Sequence, residues 1–295
     1  MTENPQLTVI VPTMAEASRS VSLMRALDSV NASSADSIVI LVVVNGNRFC
    51  SKVLEVLQQR GDVDVVRVGV ASAPNACLVG RRLVKTPYFS FLDDDDEYLP
   101  GSTDLRLSRA ESVKDFALVV ANGYRHVDGH DRQCLCHLES VSDDPLTALL
   151  NENWLVSCGV LFSSKDIDIG YFEDSHDYVE WTWLAFKICL AGKRIVVLNA
   201  PVFRVHETVG SASKSPAYDE SILRLYRRLL CFDLPLKIRL LILKKIGSYF
   251  HVKSEESLRA GFLGPAWLFH LKSLLYYGGI QYFPYTRHLL RGAFN

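Results

Sequence analysis

The chain has 295 residues, 48% hydrophobic and 22% charged, with a formal net charge of −1. That is ordinary globular composition, which excludes a disordered or collagen-like chain and leaves room for one large domain or a domain with an appendage. The near-neutral total hides an asymmetry: residues 1–221 hold 20 Lys/Arg against 30 Asp/Glu, while residues 222–295 hold 12 against 3, so a basic tail follows an acidic body.

The opening MTENPQLTVIVPT lacks a basic segment followed by an apolar one, and no run reaches the roughly 18 to 20 apolar residues of a bilayer span. The chain is therefore expected in the cytoplasm. Seven scattered cysteines fit reduced thiols better than a disulfide framework. Cys134-Leu-Cys136-His137 lacks the spacing and the second half of a zinc site.

Four apolar, β-branched runs alternate with stretches of helical spacing. LTVIV (7–11) precedes a helix over 17–31, IVILVVV (38–44) one over 49–60, VDVVRV (63–68) one over 75–85, and YFSFL (88–92) runs into four aspartates. This alternation predicts an α/β domain with a mostly parallel sheet, whose strands are buried on both faces. Further strands are read at 116–129, 154–164 and 195–207. A helix is expected over 175–194, capped by Ser175, with Asp177 in its first turn and Gly192 at its end. From about residue 220 the strands stop, and 220–231, 236–250 and 266–277 read as helices punctuated by Pro235, Pro265 and Gly278-Gly279. The domains are accordingly placed at 1–219 and 220–295.

In open α/β sheets ligands bind beyond the carboxyl ends of the strands. Pro12-Thr13, Asn45-Gly46-Asn47 and Asp93–Asp96 all lie there, so three polar turns are expected to converge on one crevice. None carries the glycine pattern of a dinucleotide fold or a P-loop. Like charges crowded at a strand's mouth require a compensating partner, and Mg or Mn is typically held by one or two carboxylates plus substrate phosphate oxygens. On an extended chain Asp93 and Asp95 point the same way. Asp94, Asp96 and Glu97 include solvated members of the turn, with Asp94 placed among the donor contacts. Asp177 is the candidate general base and Glu180 its competitor, while Trp154, Trp181 and Trp183 read first as core, with Trp154 and Trp181 the candidates for the floor under an acceptor sugar. His206, at the end of an apolar strand, is a candidate Mn ligand.

Taken in order, "VIVPT", "NGN", "GRRLVKTPYFSFLDDDD", "HDYVEWTWLAFKICLAGKR" and "FRVHE" resemble family 2 glycosyltransferases of the GT-A fold, over roughly residues 5 to 215. The resemblance implies inverting transfer of a sugar from a nucleotide-diphosphate sugar. It puts Pro12, Thr13 and Glu16 along the nucleotide pocket and Asn45 beside the base. It matches Asp93 and Asp95 to the D-x-D motif, Asp93 toward the ribose and Asp95 on the metal, with His206 completing metal and diphosphate binding. It makes Asp177 the base that deprotonates the acceptor hydroxyl and Arg81 a diphosphate contact. Four positions depart from the pattern: Val44 stands for an aspartate that often reads uracil, Ala15 and Leu78 for asparagines, and His176 for the Glu of a Glu-Asp pair. A UDP- or dTDP-linked donor is expected. The acceptor is expected to be a glycan or lipid-linked glycan of surface polysaccharide or lipopolysaccharide synthesis, and no nucleic-acid partner is expected. The alternative is a GT-A chain kept as a silent carbohydrate-binding or assembly protein.

In the tail, LPLKIRLLILKKIGSYF (234–250) sets Lys237, Lys244 and Lys245 among Leu and Ile, and residues 270–292 add aromatics and cations. Such basic amphipathic helices suit an anionic membrane surface. The expected location is thus peripheral, on the inner face of the plasma membrane.

Overall fold

The β-branched runs become strands whose side chains are mostly buried, except in the edge strand, where Asp64 and Arg67 face solvent. They are β1 (Leu7–Thr13), β2 (Ile38–Asn45), β3 (Val63–Val68) and β4 (Tyr88–Phe91). The computed structural model describes residues 5–34, 38–207 and 215–292. Between these strands run α1 (Ser20–Ala32), α2 (Ser51–Gln59) and α3 (Ala73–Leu83). Ser72 caps α3, its Oγ accepting from the Asn75 N–H, and Pro74 lies in the first turn, so this helix starts two residues before the expected 75.

After β4 come β5 (Glu97–Tyr98), α4 (Ser102–Glu111), β6 (Leu118–Val127), β7 (His130–Gln133), α5 (Pro145–Asn151), β8 (Val160–Ser163), α6 (Gly170–Glu173), α7 (Glu180–Leu190) and β9 (Ile195–His206). All nine strands join one sheet in the order β3-β2-β1-β4-β8-β6-β9-β5, with β7 paired to β6. The half built from β3, β2, β1 and β4 is parallel, as expected. The other half is mixed, because β8 runs antiparallel to both β4 and β6 while β6 and β9 are parallel. Helices flank the sheet, and the apolar sides of β1, β2, α1, β6 and β9 share one buried core.

The strand expected over 154–164 is confined to Val160–Ser163, because Ser157–Gly159 coils into a 3-10 turn. A close approach fixes that turn. A Cβ on Gly159 would stand 2.6 Å from the Phe203 ring and 3.0 Å from the Ala121 carbonyl, and one on Gly123 would meet the same ring at 2.6 Å. Phe203, three residues before His206, is thus clamped between two bare backbones where β6 and β9 slip register. Gly159→Ala is expected to lower unfolding stability by about 1–3 kcal/mol through overpacking. Urea denaturation checks this, and a smaller side chain at 203 in the Gly159→Ala background is expected to recover part of the loss.

The chain divides into two compact units, Met1–Ser211 and Ala212–Asn295. The expected division at 219/220 is later, because the first helix beyond the sheet already belongs to the second unit; the stretch 208–214 lies outside the described residues. The second unit holds α8 (Pro216–Leu229), α9 (Leu236–Arg259), α10 (Leu263–Leu274) and α11 (Thr286–Gly292). α9 is one 24-residue helix where 236–250 was expected. Its Ile238, Ile242, Ile246 and Phe250 are buried at helical spacing. No described helix is long and apolar enough to cross a membrane.

Candidate active site

The parallel half brings the three polar turns together. The Asn45 side-chain amide donates to the Thr13 carbonyl at 3.0 Å, and Thr13 Oγ1 donates to Asp94 Oδ2 at 2.6 Å while accepting from the Ala15 N–H. The ends of β1, β2 and β4 are thereby knitted into one surface. Pro12 is half-buried beside them. Ala15 adopts a left-handed φ of 49°, a conformation unfavourable to alanine and held by the bond from its N–H and by its carbonyl's acceptance from the Cys50 N–H. Glu16 follows, 3.9 Å from Arg48 at the far side of the β2 turn. Val44 is fully buried and offers a base no hydrogen bond.

The four aspartates do not run on as an extended chain. The Asp96 N–H donates to the Asp93 carbonyl at 3.1 Å, closing a tight turn, so each carboxylate has its own direction. Asp93 accepts from Ser157 Oγ at 2.7 Å. Asp94 takes Thr13 and the Arg19 guanidinium, which also lies 3.3 Å from Asp95. Asp96 accepts from the backbone N–H of His206 at 2.9 Å, tying the end of β9 to the turn. Asp94 and Asp96 are only 5% and 4% exposed, which corrects their expected standing as solvated members of the turn. Glu97 is no bystander either: it pairs with Arg204 and lies 3.2 Å from His206 Nε2.

Burial dominates the electrostatics. It pushes the Asp93 carboxyl up, as do neighbouring Asp95, Asp94 and Glu180, against the bond from Ser157. Burial also raises Asp96, helped by Asp93, and raises Asp94 despite Thr13 and Arg19. Glu97 moves the other way: burial pushes it up, but Arg204 and His206 outweigh that and hold it below the usual range. Burial, then Arg25, holds the His206 imidazole toward its neutral form.

Beside the turn lies the start of α7. Burial and the nearby Asp177 carboxylate raise Glu180, and Glu180 in turn adds to the rise of Asp93, so the charge of the α7 start is felt at the acidic turn. Asp177 is exposed and lies before the helix, whose first residue is Glu180. The reason is local. Tyr178 has a left-handed φ of 67°, and the Asp174 carbonyl accepts from Trp183 Nε1 at 3.0 Å and from Lys187 Nζ at 2.6 Å, folding 174–179 back against α7. Gly192, with φ 61°, follows the end of that helix as expected. The Trp181 ring meets Phe91 edge-on at 5.0 Å, which seats the helix start over the strand that leads to Asp93.

Two candidates are committed elsewhere. The Arg81 guanidinium donates to the carbonyls of Ile167 and Ser164 and packs over Phe89, so it secures α3 to the chain after β8 instead of presenting itself to a diphosphate. Trp154 is 2% exposed, with Nε1 on the Pro145 carbonyl, and belongs to the core instead of an acceptor floor.

Among the described residues no three His, Cys, Asp or Glu side chains converge to hold a metal ion unaided. The Asp95 carboxylate, beside Asp93, nevertheless suits a hard divalent cation whose remaining positions are filled by phosphate oxygens and water. The crowded, raised carboxyls are the deficit such a cation would offset. His206 has its Nε2 on Glu97, an arrangement that orients the ring.

Sequence reasoning missed Arg106, which is fully buried beneath this turn. Its guanidinium donates to Ser90 Oγ and the Cys158 carbonyl, both at 3.2 Å, and lies 4.2 Å over the Tyr98 ring. Tyr98 Oη donates to the Phe91 carbonyl. Ser157 and Arg19 were missed too, since nothing in VSCG or EASRS sets them apart. A groove of about 920 Å³ beside α1 and α2 borders this network through Arg25, Glu97 and Arg204 but includes none of the four aspartates.

The sequence model described as "Glycosyl transferase family 2" matches residues 8–164. Among solved structures, S. aureus TarS 1-349 in complex with UDP-GlcNAc is similar with a TM-score of 0.58 at 15% identity, covering 90% of this chain and 80% of that one. TarS 1-349 in complex with UDP gives 0.55 at 14%, covering 88% and 74%. At these identities the likeness is one of fold. No curated protein matches the chain.

Proposed function

The chain belongs to glycosyltransferase family 2, and from that premise we propose that it moves a sugar, with inversion, from a nucleotide-diphosphate sugar to a hydroxyl of a glycan or lipid-linked glycan acceptor. The observation that carries this reading is the Asn45–Thr13–Asp94 surface at the ends of β1, β2 and β4, with the start of α7 seated by Trp181 on Phe91 beside it. In this reading the first is the donor wall, and Asp177 and Glu180 form the acceptor wall. Transfer needs such opposed walls, because positive charge grows on the sugar and negative charge on the departing diphosphate, while the acceptor must lose a proton on the far face.

In this reading Pro12, Thr13, Glu16 and Asn45 line the nucleotide pocket, and Asp93 and Asp94 complete it. Asp95, with His206 oriented by Glu97, would hold Mg or Mn against the diphosphate. When bound, that cation would neutralise charge accumulating on the leaving group. Asp177 takes the acceptor's proton, acting chiefly through its position. UDP- and dTDP-linked donors are favoured. The TarS structures with UDP-GlcNAc and UDP support a donor of that chemical class. Surface polysaccharide or lipopolysaccharide is the proposed product, made at the inner face of the plasma membrane.

Thermal shift with Mn and a panel of UDP, dTDP, GDP and CMP tests the reading. One nucleoside diphosphate at about a hundred times its Kd is expected to stabilise the protein by about 2.7 kcal/mol. The gain should require Mn and vanish in Asp95→Ala. If no nucleotide stabilises the wild type, the chain is a silent scaffold of the same fold.

A further inference from the structure

Helix α10 is built inside out. Its buried positions are Ala266, His270 and Ser273, one face at spacings of four and three. The opposite face carries Leu268, Leu271 and Leu275, which are 52%, 54% and 83% exposed. A helix of a water-soluble domain turns its large apolar side chains inward. Here the buried positions are small or polar, and of the large side chains Phe269 stacks on Phe250 of α9 while the leucines stay outside. Ser254 Oγ of α9 donates to the Ala266 carbonyl at 2.7 Å, His270 Nε2 lies 2.8 Å from Thr286 Oγ1, and a Cβ on Gly247 would stand 3.1 Å from the Tyr276 Cβ. Close packing through small residues, with hydrogen bonds between helices, is how helices associate in apolar surroundings.

Further large apolar side chains are exposed at both ends of the helix, Ile280 and Phe283 after it and Phe262 before it. Cations border the face: Lys272 lies 5.7 Å over the Phe269 ring, and the Lys244 stem packs near the Gly278 turn. The wider region 222–295 carries 12 Lys/Arg against 3 Asp/Glu. The apolar positions expected to contact lipid from the sequence of 234–250 are instead occupied in helix packing, since Ile238, Ile242, Ile246 and Phe250 are buried.

We propose that the α10 face, with Phe262, Ile280 and Phe283, inserts into one leaflet of a bilayer containing anionic lipid, while Lys244 and Lys272 meet the headgroups. This deepens the membrane placement proposed above and rests on it, not on the donor chemistry. An apolar face supplies the depth and the cations supply the preference for anionic headgroups. The segment lies in the interface without crossing.

Flotation of the full-length protein with vesicles of phosphatidylcholine, alone or mixed with phosphatidylglycerol, tests this without donor or acceptor. Wild type is expected to float with the mixed vesicles, and added salt should weaken binding without abolishing it. Leu268→Gln combined with Leu271→Gln and Leu275→Gln is expected to weaken binding by about tenfold or more, with unchanged nucleotide thermal shift. Leu275→Gln alone, at the most exposed position, gives a smaller loss in the same direction and serves if the triple variant folds poorly. Wild type that stays unbound with both vesicles, or variants that float as well as wild type, overturns the proposal. So does a concentration-dependent oligomer that the variants abolish without vesicle binding, which assigns the face to a second copy. A nucleotide shift that persists when flotation fails separates this failure from that of the transferase reading.

Discussion

Asp177→Asn is expected to lower kcat by about 10²–10⁴-fold while leaving the Mn-dependent nucleotide thermal shift intact. That range is what a positioned general base contributes. The split follows from where Asp177 sits: it precedes α7, outside the hydrogen-bonded surface of the β1, β2 and β4 turns, and its charge acts on Glu180, which in turn acts on Asp93. A residue that serves the acceptor side should not weaken donor binding. Glu180→Gln is the control. Glu180 is half-buried, its carboxyl is raised by burial and then by Asp177, and it neighbours Asp93, so its loss should alter nucleotide affinity as well as rate. If Glu180→Gln carries the loss in kcat and Asp177→Asn does not, the base is Glu180.

Arg106→Ala is expected to lower unfolding stability by about 3–5 kcal/mol, measured by chemical denaturation, and to weaken nucleotide binding as a consequence. Two terms add: the cavity left by a large, fully buried side chain, and the acceptors left without a donor. Those acceptors matter because of their neighbours. Arg106 bonds Ser90 and the Cys158 carbonyl, Ser90 precedes the acidic turn by three residues, and Cys158 follows the Ser157 that holds Asp93. Arg106→Met refills much of the volume without the hydrogen bonds, so the difference between the two variants isolates the polar part. Equal stability of Arg106→Ala and wild type would show that the turn is held from above, by Thr13, Arg19 and His206, and not from below.

The division between what was legible and what was not follows the range of the interactions. β1, β2 and β4 could be read because a strand buried on both faces must be a nearly continuous apolar run, and β3 because its valines mark a strand even at the sheet edge, all properties of the strand alone. The polar turns at Thr13, Asn45 and Asp93 could be read because the carboxyl ends of such strands share one edge. The start of α7 was placed too early, at 175 instead of 180, because Ser175 and Asp177 form a plausible capped first turn. The left-handed Tyr178 and the convergence of Trp183 and Lys187 on the Asp174 carbonyl end that possibility, and neither is written in the capping pattern of 175–177.

The amino-acid sequence by itself determined an α/β domain with a parallel half-sheet, a carboxylate-rich crevice and a basic helical tail, since each of these rests on local periodicity or composition. Only the tertiary structure decided that β8 runs antiparallel through the second half, that Asp94 and Asp96 are buried rather than solvated, and that the Arg81 guanidinium is spent on backbone carbonyls. It also decided that the apolar face left outside the tail lies on α10 and not on α9. The reason is common to all of these: burial of a charged or apolar side chain depends on partners tens of residues away, and the pattern around the residue does not encode which of its faces those partners will cover.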